Sequence, residues 1–263
     1  MRHPIEPASL IAPLLTLARR AGDAILGIYH SVEPTVVTTK LDASPLTEAD
    51  LASHRIIVEG LRALTPELPV LSEEGGADLP SRDGLFWLVD PLDGTKEFVR
   101  RNGDFTVNIA LIDRGAPKLG VVHLPVHGRS YWGGAGLGAF RNSGDGTEAL
   151  RVAAVPAAGT AVRVVASKSH LNADTENFIA RFQQRELVQA GSSLKFCLIA
   201  EGAADVYPRL APTCEWDTAA AQAVVEGAGG RVVGLDGEPL RYGKPEVLNP
   251  HFVALSSLAL LRG

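Results

Sequence analysis

The feature that most constrains this chain is an uninterrupted apolar run that ends directly in two carboxylates. Phe86-Trp-Leu-Val89 is followed by Asp90-Pro-Leu-Asp93-Gly-Thr95. A short apolar run bounded by turn residues is typical of a buried strand, and the Pro and Gly predict a fixed turn at its end. The oxygens of Asp90 and Asp93 can then converge on one point, as in a Mg²⁺ site. The alternative is that both side chains only cap the amides of their own turn.

Further acidic residues stand at the ends of other predicted elements. Glu73-Glu74 follows the apolar pair Val70-Leu71, and Asp217 opens a predicted helix directly after Trp216. Taken alone, Glu73-Glu74 could be a solvated turn and Asp217 an ordinary N-cap. No Lys or Arg is interleaved among these acids, and like charges gathered in one cleft repel unless a cation neutralises them. Together the acids favour a metal centre.

Gly94-Thr95 adds an element that suits phosphate. Backbone N–H groups at such a turn point outward and can bind a phosphate oxygen, and the Thr95 hydroxyl can orient a water. Carboxylates, Mg²⁺ and phosphate together indicate phosphoryl chemistry, in which the metal activates water and neutralises the charge on the leaving oxygen.

Composition excludes several other classes. The 263 residues can bury a substantial core, and the formal charge of -5 leaves no broad basic field for a nucleic-acid polymer. Cys197 and Cys214 fit neither a disulfide framework nor a zinc site, which favours a reducing, cytoplasmic compartment. No apolar stretch reaches the roughly 18 residues of a membrane span, so we expect a soluble protein.

The order of elements predicts a layered α/β fold in two parts. Two amphipathic helices come first, the second with Thr47 as N-cap and Asp50 at the capping-box position. We expect an N-terminal α+β half, residues 1–150, that carries the metal-binding motifs, and a C-terminal α/β half, residues 151–263, that completes the metal site and the substrate pocket. The predicted strands lie at 70–71, 86–89, 105–112, 119–124, 163–166, 187–190, 206–209, 231–235 and 252–255, with a hairpin over 130–142 and helices over 173–182, over 192–203 and from 217.

The glycine-rich stretch Gly134-Ala-Gly-Leu-Gly-Ala139 formally fits the spacing of a dinucleotide-binding loop. Such a loop needs a preceding buried strand, a following helix and an acid about 20 residues further on. Tyr131-Trp132 and Ala139-Phe140 instead flank the glycines as two arms of a hairpin. The chain also lacks the GxxxxGK[ST] pattern of a P-loop. We therefore predict neither a dinucleotide site nor phosphate transfer from ATP by a P-loop.

The acidic motifs resemble the three signature motifs of the inositol monophosphatase superfamily, which includes the fructose-1,6-bisphosphatases. Glu73-Glu74, Asp90-Pro-Leu-Asp93-Gly-Thr95 and Trp216-Asp-Thr-Ala-Ala220 occur in the order and spacing of that family. The likeness extends from the first helix to the last strand. It implies a sandwich of alternating helix and sheet layers and a magnesium-dependent phosphomonoesterase that lithium inhibits.

Other segments resemble one branch, the 3'(2'),5'-bisphosphate nucleotidases. The resemblance implies removal of the 3'-phosphate from adenosine 3',5'-bisphosphate, a by-product of sulfate assimilation, and in some members from its sulfated precursor. The alternatives are an inositol or sugar phosphatase of the same superfamily and a non-catalytic phosphate-binding relative, against which the intact acidic motifs speak. The segments that carry the branch likeness are Lys96-Glu-Phe98, Ser167-Lys-Ser-His170, Gly191-Ser-Ser-Leu-Lys-Phe-Cys197 and Val206-Tyr-Pro-Arg209.

The resemblance implies two or three Mg²⁺ ions held by the acidic motifs. Glu73, Asp90 and the Leu92 carbonyl would hold the metal that activates water. Asp90, Asp93 and Asp217 would hold the metal on the leaving oxygen, so Asp90 would bridge both. Apart from Asp90, these ligands would also contact the substrate.

The remaining implied roles concern water and substrate. Asp50 and Thr95 would orient the attacking water, which competes with the capping-box interpretation of Asp50. Gly94 and Thr95 would also hold the scissile phosphate. The further substrate contacts would be Ser192, Lys195 and Arg209, at the other phosphate or the ribose, and His170, near the base.

Two implied roles have a plainer alternative, since Lys195 and Arg209 could be ordinary surface charge. The expected partner is a small phosphorylated molecule. Peripheral association with the inner membrane, and either a monomer or a homodimer, stay open at this stage.

Overall fold

The computed structural model describes residues 5–31, 37–39, 45–75, 84–167 and 172–262. Within them lie helices, strands and two short 3-10 turns at Glu215–Asp217 and Leu258–Leu261. The helices are α1 (Pro7–Tyr29), α2 (Glu48–Leu64), α3 (Thr95–Val99), α4 (Ala173–Ala180), α5 (Leu194–Ala200) and α6 (Ala219–Gly227). The strands are β1 (Val37–Thr39), β2 (Pro45–Thr47), β3 (Val70–Ser72), β4 (Leu85–Asp93), β5 (Thr106–Asp113), β6 (Ala116–Leu124), β7 (Arg129–Gly134), β8 (Gly138–Ser143), β9 (Gly146–Ala149), β10 (Val162–Ser167), β11 (Arg185–Ala190), β12 (Val206–Arg209), β13 (Arg231–Gly234) and β14 (Phe252–Leu255).

The first large sheet has seven strands in the order β3-β4-β5-β6-β7-β8-β9. β3 pairs with β4 in parallel, and the later pairs are antiparallel. One face is covered by α1 and α2, whose apolar stripes pack Leu14, Ile25 and Leu61 into a core with Trp87. The Trp87 indole N–H donates to Thr65 Oγ at 2.8 Å, which satisfies a fully buried donor.

The second sheet has the strand order β11-β10-β12-β14-β13 and combines parallel and antiparallel pairs. α5 and α6 lie between the two sheets, in a core that includes Leu88, Val225 and Phe252. α4 and the second 3-10 turn pack Phe178 and Leu260 on the outer face. Helix and sheet layers therefore alternate, which confirms the predicted layered α/β fold.

The stretch that we predicted as a turn after Val89 is a continuation of the strand. β4 runs on to Asp93, and its register with β5 shifts between Asp90 and Asp93. Pro91 has no N–H for the ladder, so pairing is interrupted there and the strand bulges. Asp90 Oδ1 accepts the Leu92 N–H at 3.0 Å, so the local cap that we considered as an alternative is present as well.

The helix that we expected to open at Asp217 begins later. Asp217 lies in the 3-10 turn, α6 begins at Ala219, and Thr218 occupies the N-cap position. Asp217 Oδ2 accepts the Cys214 N–H at 2.8 Å instead of capping α6.

The helix predicted over residues 192–203 is shorter, because α5 covers only Leu194–Ala200. Ser192 and Gly202 bracket it with φ values of 45° and 73°, which helical backbone does not allow. β9 was missed because all four of its residues are exposed and its sequence gives no apolar alternation. The predicted hairpin over residues 130–142 is confirmed by β7 and β8.

The expected division at residue 150 separates the two large sheets in sequence. α6, from the C-terminal half, nevertheless packs on β5, β6 and β7 of the first sheet as well as on β13. The division into two domains at residue 150 therefore stays a prediction. Within the parts of the chain described here, no helix combines the length and the apolar character that crossing a bilayer requires.

A buried histidine beneath α1 predicts an acid-sensitive fold. His123 is buried, its Nδ1 lies 2.9 Å from Ser130 Oγ, and burial lowers its pKa from 6.5 to about 4, with Arg19 lowering it further and Asp23 opposing. Between these two values the unfolded chain binds a proton that the folded chain does not, so the free energy of unfolding falls as the pH falls, by about 3 kcal/mol in all.

Urea denaturation of the wild type and of His123→Gln from pH 7.5 to 4 measures this contribution. The variant should lose less stability over that range, since other titrating groups are shared and cancel. Parallel curves for the two proteins would show that His123 does not carry the effect.

Candidate active site

A cavity of about 500 Å³ opens where the end of β4, the start of α3, the start of α5 and the 3-10 turn at Glu215–Asp217 meet. Its lining includes both acidic and cationic side chains. The predicted site residues on its wall are Glu73, Asp93, Gly94, Thr95, Ser192, Lys195, Arg209 and Asp217.

The acidic side of the cavity is a group of interacting carboxylates. Asp90 is 1% exposed, and burial together with the negative charges of Glu73, Asp93 and Asp217 raises its pKa well above the ordinary value. A hydrogen bond to Glu73 raises it further. Burial, followed by the charge of Asp93, raises the pKa of Asp217 to about 8.

These carboxylates fit a hard divalent cation. Oxygen donors are what Mg²⁺ prefers, and a cation would offset the repulsion that favours protonation of this group. Among the described residues, no three acidic, His or Cys side chains already converge on one point as metal ligands. The fit therefore rests on the donor type and on the charge.

Asp50 divides its two oxygens between two tasks. Oδ2 accepts the backbone N–H of Thr47 at 2.8 Å and its hydroxyl at 2.6 Å, which confirms the predicted capping box. Oδ1 accepts the Thr95 hydroxyl at 3.1 Å. The Leu92 carbonyl lies farther from that hydroxyl, at 3.5 Å. Capping and contact with the site are therefore compatible in Asp50, where we had expected them to compete.

Gly94 is required by the close approach of the turn before α5. Its φ of 92° is left-handed, and a Cβ built there would lie 2.0 Å from Ser192 Oγ. The same serine hydroxyl donates to the Asp93 carbonyl at 2.9 Å. The missing side chain thus lets the turn before α5 contact the segment that carries Asp93.

The cationic residues that line the cavity include Lys195 and Arg209, beside Lys96. Lys195 is 6% exposed, and its Nζ lies 5.4 Å from the centre of the Tyr207 ring. Burial lowers its pKa to about 8, with the charge of Asp93 opposing this shift and the charge of Arg209 adding to it. The alternative of plain surface charge is therefore wrong for Lys195. Arg209 donates to the Pro212 carbonyl at 3.1 Å, but its buried Nε finds no partner within the described residues. An unpaired buried donor is costly, so this wall suits an anion.

The turn that carries Asp217 is fixed by the irregular segment 241–249. Glu215 is fully buried and accepts the Gly243 N–H at 2.8 Å, the Lys244 N–H at 3.0 Å and the Lys244 ammonium at 2.5 Å. Asn249 Nδ2 donates to the Cys214 carbonyl at 2.7 Å. These contacts position the turn that carries Asp217 from outside the cavity.

Some residues around the site were missed from the sequence. Thr106, Asn108 and Ser193 are buried polar side chains beside Asp93. The only available signal was that Thr106 and Asn108 interrupt an otherwise apolar predicted strand. His170 lies outside the described residues.

Carboxylates beside cationic side chains in one cavity, on a layered α/β sandwich, are what an enzyme that acts on phosphate esters with the help of a metal requires. The inositol monophosphatase family model matches residues 6–260, and the chain belongs to that family. The resemblance inferred from the three acidic motifs is thereby confirmed.

Among curated proteins, the chain is 48% identical over 240 residues to the 3'(2'),5'-bisphosphate nucleotidase CysQ of Escherichia coli strain K12, covering 90% of this chain and 95% of the relative. It is 44% identical over 247 residues to the protein of the same name from Salmonella typhimurium, covering 92% and 98%. These identities confirm the likeness to the bisphosphate nucleotidase branch.

Solved structures agree with the sequence relatives. The crystal structure of CysQ from Bacteroides thetaiotaomicron, a bacterial member of the inositol monophosphatase family, has a TM-score of 0.84 at 40% identity and covers 96% of this chain and 98% of that one. An IMPase from Thermotoga maritima has a TM-score of 0.78 at 25% identity, with 97% and 96% covered.

Proposed function

We propose that this protein is a magnesium-dependent 3'(2'),5'-bisphosphate nucleotidase that hydrolyses the 3'-phosphate of adenosine 3',5'-bisphosphate to give AMP and phosphate. The observation that carries the proposal is one cavity lined by carboxylates and by cationic side chains, among them Lys195 and Arg209. A substrate with two phosphates needs a metal-binding region for one and a cationic region for the other. The 48% identity to a curated nucleotidase of this name supports the choice of substrate.

The residues that would hold Mg²⁺ are the acidic group and one carbonyl. Glu73, Asp90 and the Leu92 carbonyl form one expected set, and Asp90, Asp93 and Asp217 form the other. Bound there, Mg²⁺ supplies charge that lowers the pKa of a water and neutralises the departing oxygen. The proposed number of bound ions is two or three.

Asp50 and Thr95 orient the water that attacks phosphorus. The Thr95 hydroxyl donates a hydrogen bond to Asp50 Oδ1, which leaves a lone pair of the Thr95 oxygen to accept a hydrogen bond from water. Asp50 itself is held in place by both donors of Thr47. A water aligned in this way needs little reorientation before attack, which lowers the entropic part of the barrier.

The rest of the cavity would bind the nucleotide. Lys195 and Arg209 pair with the phosphate that is not cleaved, and Ser192 contacts the same phosphate or the ribose. Phe196, Tyr207 and Phe252 form a packed, buried aromatic cluster that borders the cavity.

The proposal also covers the base contact, a second substrate, the metabolic role and the location of the protein. Contact of His170 with the base, acceptance of the sulfated precursor and a place in sulfur assimilation follow from the branch resemblance. A cytoplasmic location is supported by the cysteine content, since two cysteines make no disulfide framework, and peripheral association with the inner membrane stays open.

Product identity tests the proposal directly. Purified protein, incubated with Mg²⁺ and adenosine 3',5'-bisphosphate, should give AMP and phosphate in equal amounts. Phosphorus NMR measures the two products. Formation of adenosine 3'-phosphate would contradict the proposed orientation of the substrate, and no release of phosphate would contradict the function.

Lys195→Met should remove selectivity for the second phosphate. Without the charge-assisted hydrogen bond from the ammonium group, kcat/KM for the bisphosphate should fall by roughly 10- to 100-fold. Adenosine 3'-phosphate, which has no second phosphate, should be hydrolysed almost as well as by the wild type. Because Met keeps much of the buried side-chain volume without a charge, the melting temperature should stay the same or rise. An equal fall in kcat/KM for both substrates would contradict this role for Lys195.

A further inference from the structure

Among the described residues, hydrogen bonds reach the Asp93 carboxylate through one of its two oxygens. The Ser193 hydroxyl donates to Oδ2 at 2.8 Å, and Thr106 Oγ and Asn108 Nδ2 approach the same atom at 3.4 Å each. No described side chain makes a hydrogen bond to Oδ1. A short hydrogen bond to a charged acceptor is strong, so Ser193 fixes the rotation of the carboxylate and leaves Oδ1 available to a cation.

Ser193 is itself held in one orientation. It is fully buried, and its hydroxyl oxygen accepts Asn108 Nδ2–H at 3.0 Å. Thr106 Oγ lies 3.1 Å from Asn108 Oδ1, which sets the direction of that amide. The Ser193 oxygen also lies 3.1 Å from the backbone carbonyl of Asp217. One hydroxyl thus contacts the side chain of one expected metal ligand and the backbone of another.

The turn that carries Ser193 is bound to the first half of the chain. Gly191 N–H donates to Asp104 Oδ2 at 3.0 Å, and the Ser192 hydroxyl donates to the Asp93 carbonyl at 2.9 Å. Ser192 adopts a φ of 45°, which is unfavourable for a residue with a side chain and persists only where the surroundings impose it. The position of the Ser193 hydroxyl is therefore determined by contacts on both sides.

We propose that Ser193 is a positioning residue that sets the Asp93 carboxylate relative to Asp217, so that both can bind the same divalent cation. The inference rests on the proposed metal-dependent function. Ser193 acts through Asp93 and contacts neither the substrate nor the cation.

The test compares divalent-cation binding by Ser193→Ala and the wild type, with Mn²⁺ followed by electron paramagnetic resonance and no substrate present. Loss of a partner that orients a ligand should weaken Mn²⁺ binding by roughly 10- to 100-fold, and the Mg²⁺ concentration for half-maximal activity should rise by a similar factor. At saturating Mg²⁺, the KM for the nucleotide should stay within about twofold. Ser130→Ala is the matched control. Ser130 on β7 is also a buried serine, but its hydroxyl contacts His123 and not Asp93, so the variant should leave Mn²⁺ affinity unchanged.

Asn108→Ala provides a second variant, since it removes the donor to the Ser193 oxygen and should weaken Mn²⁺ binding in the same direction. Equal Mn²⁺ affinity in the wild type and in either folded variant would overturn the positioning role alone. A wild-type protein that binds no Mn²⁺ would overturn the proposed metal centre together with this inference.

Discussion

Asp90→Asn should abolish turnover while leaving the protein folded. Asp90 is buried among Glu73, Asp93 and Asp217 and is the carboxylate expected to bridge both metals. An amide has nearly the same shape but no charge, so we expect kcat to fall by roughly 1000-fold or more, equivalent to about 4 kcal/mol of transition-state stabilisation. The substitution also relieves repulsion among the acids, so the melting temperature without metal should stay the same or rise.

Steady-state phosphate release and thermal unfolding, measured on the same preparation, check both parts of this result. Asp113→Asn is the matched control, because Asp113 ends β5 and pairs with Arg114 and Lys118 at the surface. The control should keep near-normal activity, since exposed ion pairs contribute little. Near-normal activity of Asp90→Asn would show that Asp90 does not bind the metals.

Gly120→Ala should destabilise the fold strongly. A Cβ built at Gly120 on β6 would lie 2.0 Å from the Ala220 carbonyl oxygen and within 3 Å of two further backbone atoms of that residue. Backbone cannot move aside as a flexible side chain can, so α6 would have to shift away from the first sheet. Overpacking of this kind costs about 3 kcal/mol or more in the free energy of unfolding. Because α6 follows the turn that carries Asp217, Mg²⁺-dependent activity should fall as well.

Gly27→Ala provides the comparison for chemical denaturation. Gly27 lies in α1, and a Cβ built there meets nothing within 4 Å. This variant should be more stable than the wild type by about 0.5–1 kcal/mol, because alanine favours helix over the unfolded chain. If Gly120→Ala unfolded at the same denaturant concentration as the wild type, the tight packing of α6 on β6 would be contradicted.

Much of the fold was predictable because its signals are local. The apolar stripes of α1 and α2 and the apolar run before Asp90 can be recognised within a few residues. The exposed strand β9 has no such pattern, and the bulge at Pro91 depends on pairing with β5. Tertiary contacts decide those features, so local sequence could not reveal them.

The expected site residues could be chosen by resemblance, but their partners could not. Ser193 is 100 positions from Asp93 along the chain, and only the packing of the two halves brings them to 2.8 Å. The buried Glu215 could equally have been a solvated acid, because its partner Lys244 is 29 positions away. The sequence also could not show that Asp50 caps α2 through Oδ2 and contacts Thr95 through Oδ1, because this requires the positions of the two oxygens.

The most direct test of the proposed function measures kcat/KM with Mg²⁺ for adenosine 3',5'-bisphosphate, inositol 1-phosphate and fructose 1,6-bisphosphate under identical conditions. The account predicts a clear preference for the nucleotide, because Lys195 and Arg209 supply a cationic wall for its second phosphate. A preference for inositol 1-phosphate or fructose 1,6-bisphosphate would contradict it.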